Sequence, residues 1–258
     1  MHDFLIFVFV GFLAQIVDGA LGMAYGVISS TVLLAFGVPP ATASASVHAA
    51  EVFTTAASAG SHAVARNVNW KLFAPLALGG CVGGAAGAFL LTSIDGTVLK
   101  PFITGYLALM GVLILYRAWR GAQARPFPLR WSAPLGAVGG MMDAIGGGGW
   151  GPTVTSALVG SGADPRQSIG TTNTAEFFVT ATISATFLAA LLSGHWRDGG
   201  GVGAHAAAIG GLILGGLAAA PLAGHVVKLA PVRVLTIAVG VLVLILAGYQ
   251  TARLTGLV

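Results

Sequence analysis

Apolar residues run in five stretches, 4–17, 22–37, 41–64, 70–92 and 97–119, separated by short glycine, proline and polar interruptions. Five more follow at 132–145, 148–161, 166–193, 203–225 and 230–253. A helix needs roughly 20 apolar residues to cross the ~30 Å hydrocarbon core of a bilayer, so the longer stretches predict transmembrane helices. The first two stretches of each set are short and glycine-rich, which predicts broken helices that either cross twice or turn back as re-entrant hairpins.

The two sets are related. Shifted by 125 residues, Gly11 falls on Gly136, Asp18 on Asp143, Gly22 on Gly147, Tyr25 on Trp150, Gly26 on Gly151, Pro40 on Pro165 and Glu51 on Glu176. Further along the offset drifts to about 130, where Pro101 meets Pro231, as insertions between copies allow. Residues 1–120 and 131–258 therefore read as two copies of one membrane unit, joined by an Arg-rich linker at 121–130. The opening pair of stretches leaves the chain on the side where it began, so each unit crosses an odd number of times. The expected fold is all-α and integral to the membrane, with two inverted repeats of five apolar segments.

Composition agrees with a bilayer environment. Hydrophobic residues make up 56% of the 258 and charged residues 8%, against about 25% charged in soluble domains. The net charge of +4 comes from basic residues scattered at the ends of apolar stretches, which is no nucleic-acid patch. Placing the linker in the cytoplasm puts Arg66, Lys71, Arg117, Arg120, Arg125, Arg130, Arg166, Lys228 and Arg233 inside and leaves Lys100, Arg197 and Arg253 outside. That asymmetry follows the positive-inside rule and predicts both termini outside the cytoplasm. The first stretch lacks a basic leader and a small-residue cleavage site, so it is expected to remain as a membrane segment. Trp70, Trp119, Trp131, Trp196, Tyr116 and Tyr249 fall at segment ends, where amphipathic rings anchor at headgroup level. The single Cys81 reads as packing. His62, His195, His205 and His225 lack metal-ligand spacing, so no metal and no cofactor are expected.

Candidate chemistry concentrates where ionisable groups meet apolar stretches, because a charge in hydrocarbon must be paired or hydrated. Asp18, Glu51, Asp143 and Glu176 are such groups, and they form two repeat-related pairs. Two roles are open to them: binding a coupling proton or cation, or accepting backbone amides freed by the glycines. The breaks DGALGMAYG (18–26) and DAIGGGGWGP (143–152) lie at matching positions of the two halves, the arrangement that marks a transporter's midplane site. Glycines there admit a ligand to the backbone, and the half-helices after them offer N–H groups to an anion. A dinucleotide loop is the rival reading of the glycine run, without a βαβ context to support it.

No Lys or Arg lies in the middle of an apolar stretch, so backbone amides would have to hold an anion. Candidate substrate-binding residues are Gly22, Tyr25, Gly26, Gly147, Gly148, Gly149, Trp150 and Gly151 in the breaks. Ser46 and His48 in ATASASVHAAE add to them, with Thr172 and Asn173 in IGTTNTAE. His48 stands three residues from Glu51, on one helical face, where the two can share a proton; helix–helix hydrogen bonding is its other role. The runs GGCVGGAAGA (79–88) and GGLILGGLAAA (210–220) have the small-residue spacing of close helix packing.

These breaks, the P-x-x-A/S stretches after them and the matched glutamates resemble the sulfite exporter TauE/SafE family over essentially the whole chain. The resemblance implies an all-helical inner-membrane permease of two inverted repeats that moves sulfite, organosulfonates or related sulfur-containing anions. Gly146, Gly147, Gly148, Gly149 and Pro152 match the family's pattern of a glycine run followed by proline. Leu21, Met23 and Ala24 stand where the family has glycines in the first break. The expected function is alternating-access transport of a small anion across a bacterial inner membrane, coupled to the membrane potential or to movement of a proton or cation. A passive anion channel and a membrane-embedded enzyme are the alternatives, the latter without a credible nucleophile and base. The expected partners are the anion, the lipid bilayer and a coupling ion, and a homo-oligomer stays open.

Overall fold

A computed structural model describes residues 2–21, 24–120, 127–160, 165–196, 202–229 and 232–257. Among them the chain is all-helical, with ten α-helices and no strand. They are α1 (His2–Leu21), α2 (Tyr25–Ala35), α3 (Pro40–Val64), α4 (Trp70–Ser93), α5 (Gly96–Arg120), α6 (Ser132–Gly146), α7 (Ser156–Gly160), α8 (Pro165–Leu192), α9 (Val202–Leu229) and α10 (Val232–Leu254). A π-helical turn, Gly151–Thr155, leads directly into α7. The helices keep close to the apolar stretches of the sequence. α1 is longer than its apolar core predicts, running on through Asp18 to Leu21.

Four helices are long and apolar enough to cross a bilayer over described residues: Trp70–Ser93, Gly96–Tyr116, Gln167–Leu192 and Thr236–Leu254. α3 is as long as these, at 25 residues, but spends much of its length on Ser, Thr, His and Glu. Its polar side chains are turned inward: Ser44, His48, Glu51 and Thr55 are all buried. α2 has 11 residues, about 16 Å of helix, or half a bilayer core.

The dominant helix pairings join residues before 120 to residues after 131: α4 with α6, α1 with α9, α3 with α8 and α5 with α10. With lipid on the outside there is little hydrophobic drive between helices, and close backbone approach supplies the packing energy instead. Gly79, Gly83 and Gly87 on α4 bear on the carbonyls of Ala133, Ala137 and Met141 of α6. Gly211 and Gly215 on α9 bear on those of Phe4 and Val8 of α1. A methyl group at any of these would have to push a helix away. The outer faces carry Leu78, Val82, Phe102 and Ile245, all exposed, as lipid-facing positions should be. Of the aromatic residues expected as anchors, Trp70, Trp119, Trp131, Tyr116 and Tyr249 are exposed. Trp196 is buried instead, its ring 5.8 Å from that of Phe187.

Candidate functional site

The two breaks meet in the middle of the bundle. α6 ends because Gly147 adopts the left-handed conformation (φ 67°, ψ 31°) that favours glycine, and its amide bonds back to the Asp143 carbonyl at 2.7 Å. Gly148 follows at φ 152°, again open to glycine alone without strain. This kink lays Gly147 and Gly148 against Gly26 at the start of α2. Ser30, one turn along α2, sets its hydroxyl between the Gly26 carbonyl, 2.6 Å away, and the Gly147 carbonyl, so its one hydrogen is shared between the two breaks.

The matched aspartates act alike. Asp18 Oδ1 accepts the amides of Ala24 (2.8 Å) and Tyr25 (3.2 Å). Asp143 Oδ1 accepts those of Gly149 (2.6 Å) and Trp150 (3.0 Å), the same positions 125 residues on. Each carboxylate thus holds donors released where its helix breaks, which a buried backbone requires. The amides at Tyr25, Gly149 and Trp150, expected to face a ligand, are taken by the protein's own carboxylates, as is that of Ala24. Gly26 and Val27, in the first turn of α2, precede its first intrahelical donor, the Ile28 amide, which bonds the Ala24 carbonyl.

Around this junction lies a cavity of about 10 Å³ for a water-sized sphere, lined by both breaks and by Asp18, Glu51, Asp143 and Glu176. That is room for about one water molecule. Tyr25, Gly26, Gly148, Trp150 and Gly151 also line it. All four sequence-matched acidic residues therefore converge on one small space, although they lie on α1, α3, α6 and α8. Glu51 is 3% exposed and its Oε2 finds no hydrogen-bond partner among the described residues.

His48 reaches out of α3 to the other half: its Nε2 lies 3.2 Å from Asp143 Oδ2, and its Nδ1 2.8 Å from the Ser44 carbonyl. Thr172 sits behind the break, its carbonyl accepting Trp150 Nε1 at 3.1 Å and its hydroxyl that of Thr155 at 3.0 Å. Gly149 packs under the Tyr106 ring hydroxyl. Asn173 points elsewhere, its amide donating to Ser58 Oγ at 3.1 Å. Ser46 is buried without a hydrogen-bond partner among the described residues and does not line the cavity. Gly22 lies outside the described residues. Sequence reasoning missed Ser30 and Tyr106. Ser30 has a weak signal, as one of two adjacent serines in an apolar stretch four residues after Gly26; Tyr106 has none. Among the described residues no cluster of His, Cys, Asp and Glu could hold a metal ion.

Two broken helices meeting at a buried carboxylate cluster, inside a sheath of lipid-facing helices, define the class: a multi-pass membrane transporter. Residues 7–250 match the family described as sulfite exporter TauE/SafE, and the chain belongs to that family. It is a family of transporters, not of enzymes. A Bacillus subtilis (strain 168) protein described as "Probable membrane transporter protein YtnM" is 41% identical over 235 residues, 88% of this chain and 76% of that one. No solved structure matches the chain.

Proposed function

We propose that the protein is a secondary transporter of a small sulfur-containing anion, sulfite or a short organosulfonate, working by alternating access in a bacterial inner membrane. The observation that carries this reading is the junction of the two breaks around four carboxylates. An anion about 4 Å from one ionised carboxylate meets roughly 4 kcal/mol of repulsion at an effective dielectric of about 20. Four such groups bar a bare anion. The anion enters only as carboxylates take up protons, so its movement is tied to proton movement, with Glu51 and Glu176 as the carriers. First-turn amides of α2, at Gly26 and Val27, supply the donors. A cavity of about 10 Å³ holds no sulfite, so the breaks must separate to admit it. This closed junction favours a gated carrier over a passive anion channel.

The same reading includes two inverted repeats, with the breaks as re-entrant tips meeting at the midplane. Reciprocal packing of α4 on α6 and α9 on α1 supports it. So does the gathering of Gly37, Lys100 and Arg253 around one cavity, which brings the end of α2, the start of α5 and the end of α10 to one face. At the opposite end the Asn69 amide bonds Thr171 Oγ1 at 2.9 Å, near Arg66 and Lys71. The charge asymmetry makes that second face cytoplasmic and both termini external.

Proteoliposomes test the function directly. Labelled sulfite or a short sulfonate should accumulate in response to a pH gradient and saturate with concentration. Single-channel currents, or flux indifferent to the gradient, would overturn the reading.

A further inference from the structure

His48 lies midway along α3 with its side chain fully buried, and both ring nitrogens are engaged. Nδ1 lies 2.8 Å from the Ser44 carbonyl oxygen, which can only accept. Ser44 Oγ, 3.2 Å from the same nitrogen, spends its hydrogen on the Ala144 carbonyl at 2.5 Å and offers Nδ1 a lone pair. Nδ1 therefore carries a hydrogen. Nε2 faces Asp143 Oδ2 at 3.2 Å, and that contact holds in two ways. An imidazolium donates to a carboxylate, or a neutral imidazole accepts from a carboxylic acid. Each form contains one proton more than the bare pair. Take it away and two lone pairs face each other, a repulsive arrangement in a buried site.

We propose that the His48–Asp143 pair is a binding site for the coupling proton, and that its occupancy keeps the second break docked against α3. The proposal rests on the proton-coupled reading above and gives the proton an address. Asp143 is suited to the task because its other oxygen holds the Gly149 and Trp150 amides. A change in the charge of the pair reaches the break through a single carboxyl group. The first break has no such device: the position matched to His48 is Asn173 on α8, whose amide turns to Ser58. Proton binding of this kind thus belongs to one half of a duplicated site.

The titratable groups around the pair come from five further helices or turns of helix. Glu51 lies one turn along α3, Glu176 on α8 and Asp18 on α1, with Tyr25 from α2 and Tyr106 from α5. All five are acidic groups. Lys71 is exposed at the start of α4, and Lys100 lines a separate cavity at the start of α5.

Nitrogen-15 NMR of ring-labelled histidine in the purified protein tests this without substrate, the His48 signals being assigned from their loss in His48→Gln. The expected result is an Nδ1 that stays protonated and an Nε2 that changes state once with pH. In Asp143→Asn, whose amide donates to Nε2, that transition should vanish. An Nδ1 without hydrogen, or an Nε2 transition unaltered by Asp143→Asn, overturns the proposal. A second arm uses flux: the ratio of gradient-driven accumulation to equilibrium exchange of labelled sulfite should fall about tenfold or more in His48→Gln. An unchanged ratio overturns the coupling role. A wild-type protein that shows the NMR transition but moves no sulfite overturns the substrate reading and upholds the proton site.

Discussion

Gly26 meets Gly148 backbone to backbone: a methyl group at Gly26 would stand 2.6 Å from the Gly148 Cα and 2.9 Å from Glu51 Oε1. The contact joins the two breaks and leaves no slack for a side chain. Gly26→Ala is expected to force them apart, at about 1–3 kcal/mol of overpacking strain. Transport should be lost while the protein remains folded in detergent, as size-exclusion profiles and a modestly lowered melting temperature will show. Near-normal flux would mean that the junction is not part of the transport path.

Asp18 and Asp143 share one structural task, so their loss should share one signature. Replacing Asp18 with Ala strands the Ala24 and Tyr25 amides and should lower stability by about 0.5–2 kcal/mol, in the range of a lost helix cap. Asp18→Asn keeps a carbonyl oxygen to accept them and should recover most of that loss. Thermal melting of the three proteins side by side checks the prediction. Equal melting of the Ala and Asn variants would remove the capping role.

Glu51 and Glu176 line the cavity without such amide contacts among the described residues, which leaves them available for proton traffic. Glu51→Gln and Glu176→Gln should abolish sulfite accumulation driven by a pH gradient. Flux measured with and without the gradient separates this from a simple loss of protein, and undiminished gradient-driven accumulation in both variants would end their role as carriers.

Sidedness is read with single cysteines in a protein whose Cys81 has been replaced by Ala. Cysteines at Arg253 and Lys100 are expected to react with a membrane-impermeant maleimide in whole cells. Those at Arg66 and Lys71 should react only after permeabilisation. The reverse pattern would invert the topology.

Sequence reasoning reached far because a bilayer constrains a chain so tightly. Apolar length, helix breaks at glycine and the placement of Lys and Arg are local properties, and they mark most of the described helices nearly to their ends, while the stretch 148–161 opens on a π-helical turn before the short α7. The matched settings of Asp18 and Asp143 are also legible in the chain, 125 residues apart. The partners of these residues are another matter. His48 stands on one helical face with Glu51, and periodicity alone pairs the two. In the folded chain its ring turns to Asp143, 95 residues away. Ser30 and Tyr106 close over the second break from α2 and α5, and no spacing in the sequence brings them there.

The amino-acid sequence by itself determined that this is a membrane protein of helices, where they break, and which four carboxylates are candidates for chemistry. Each of those follows from short-range physics: the cost of charge in hydrocarbon, and the freedom of glycine. Tertiary structure decided that both breaks share one closed junction, that two aspartates occupy amides otherwise open to an anion, and that His48 faces Asp143. Those are contacts between helices far apart in the chain, set by how small residues let the backbones approach, and only packing in three dimensions selects them.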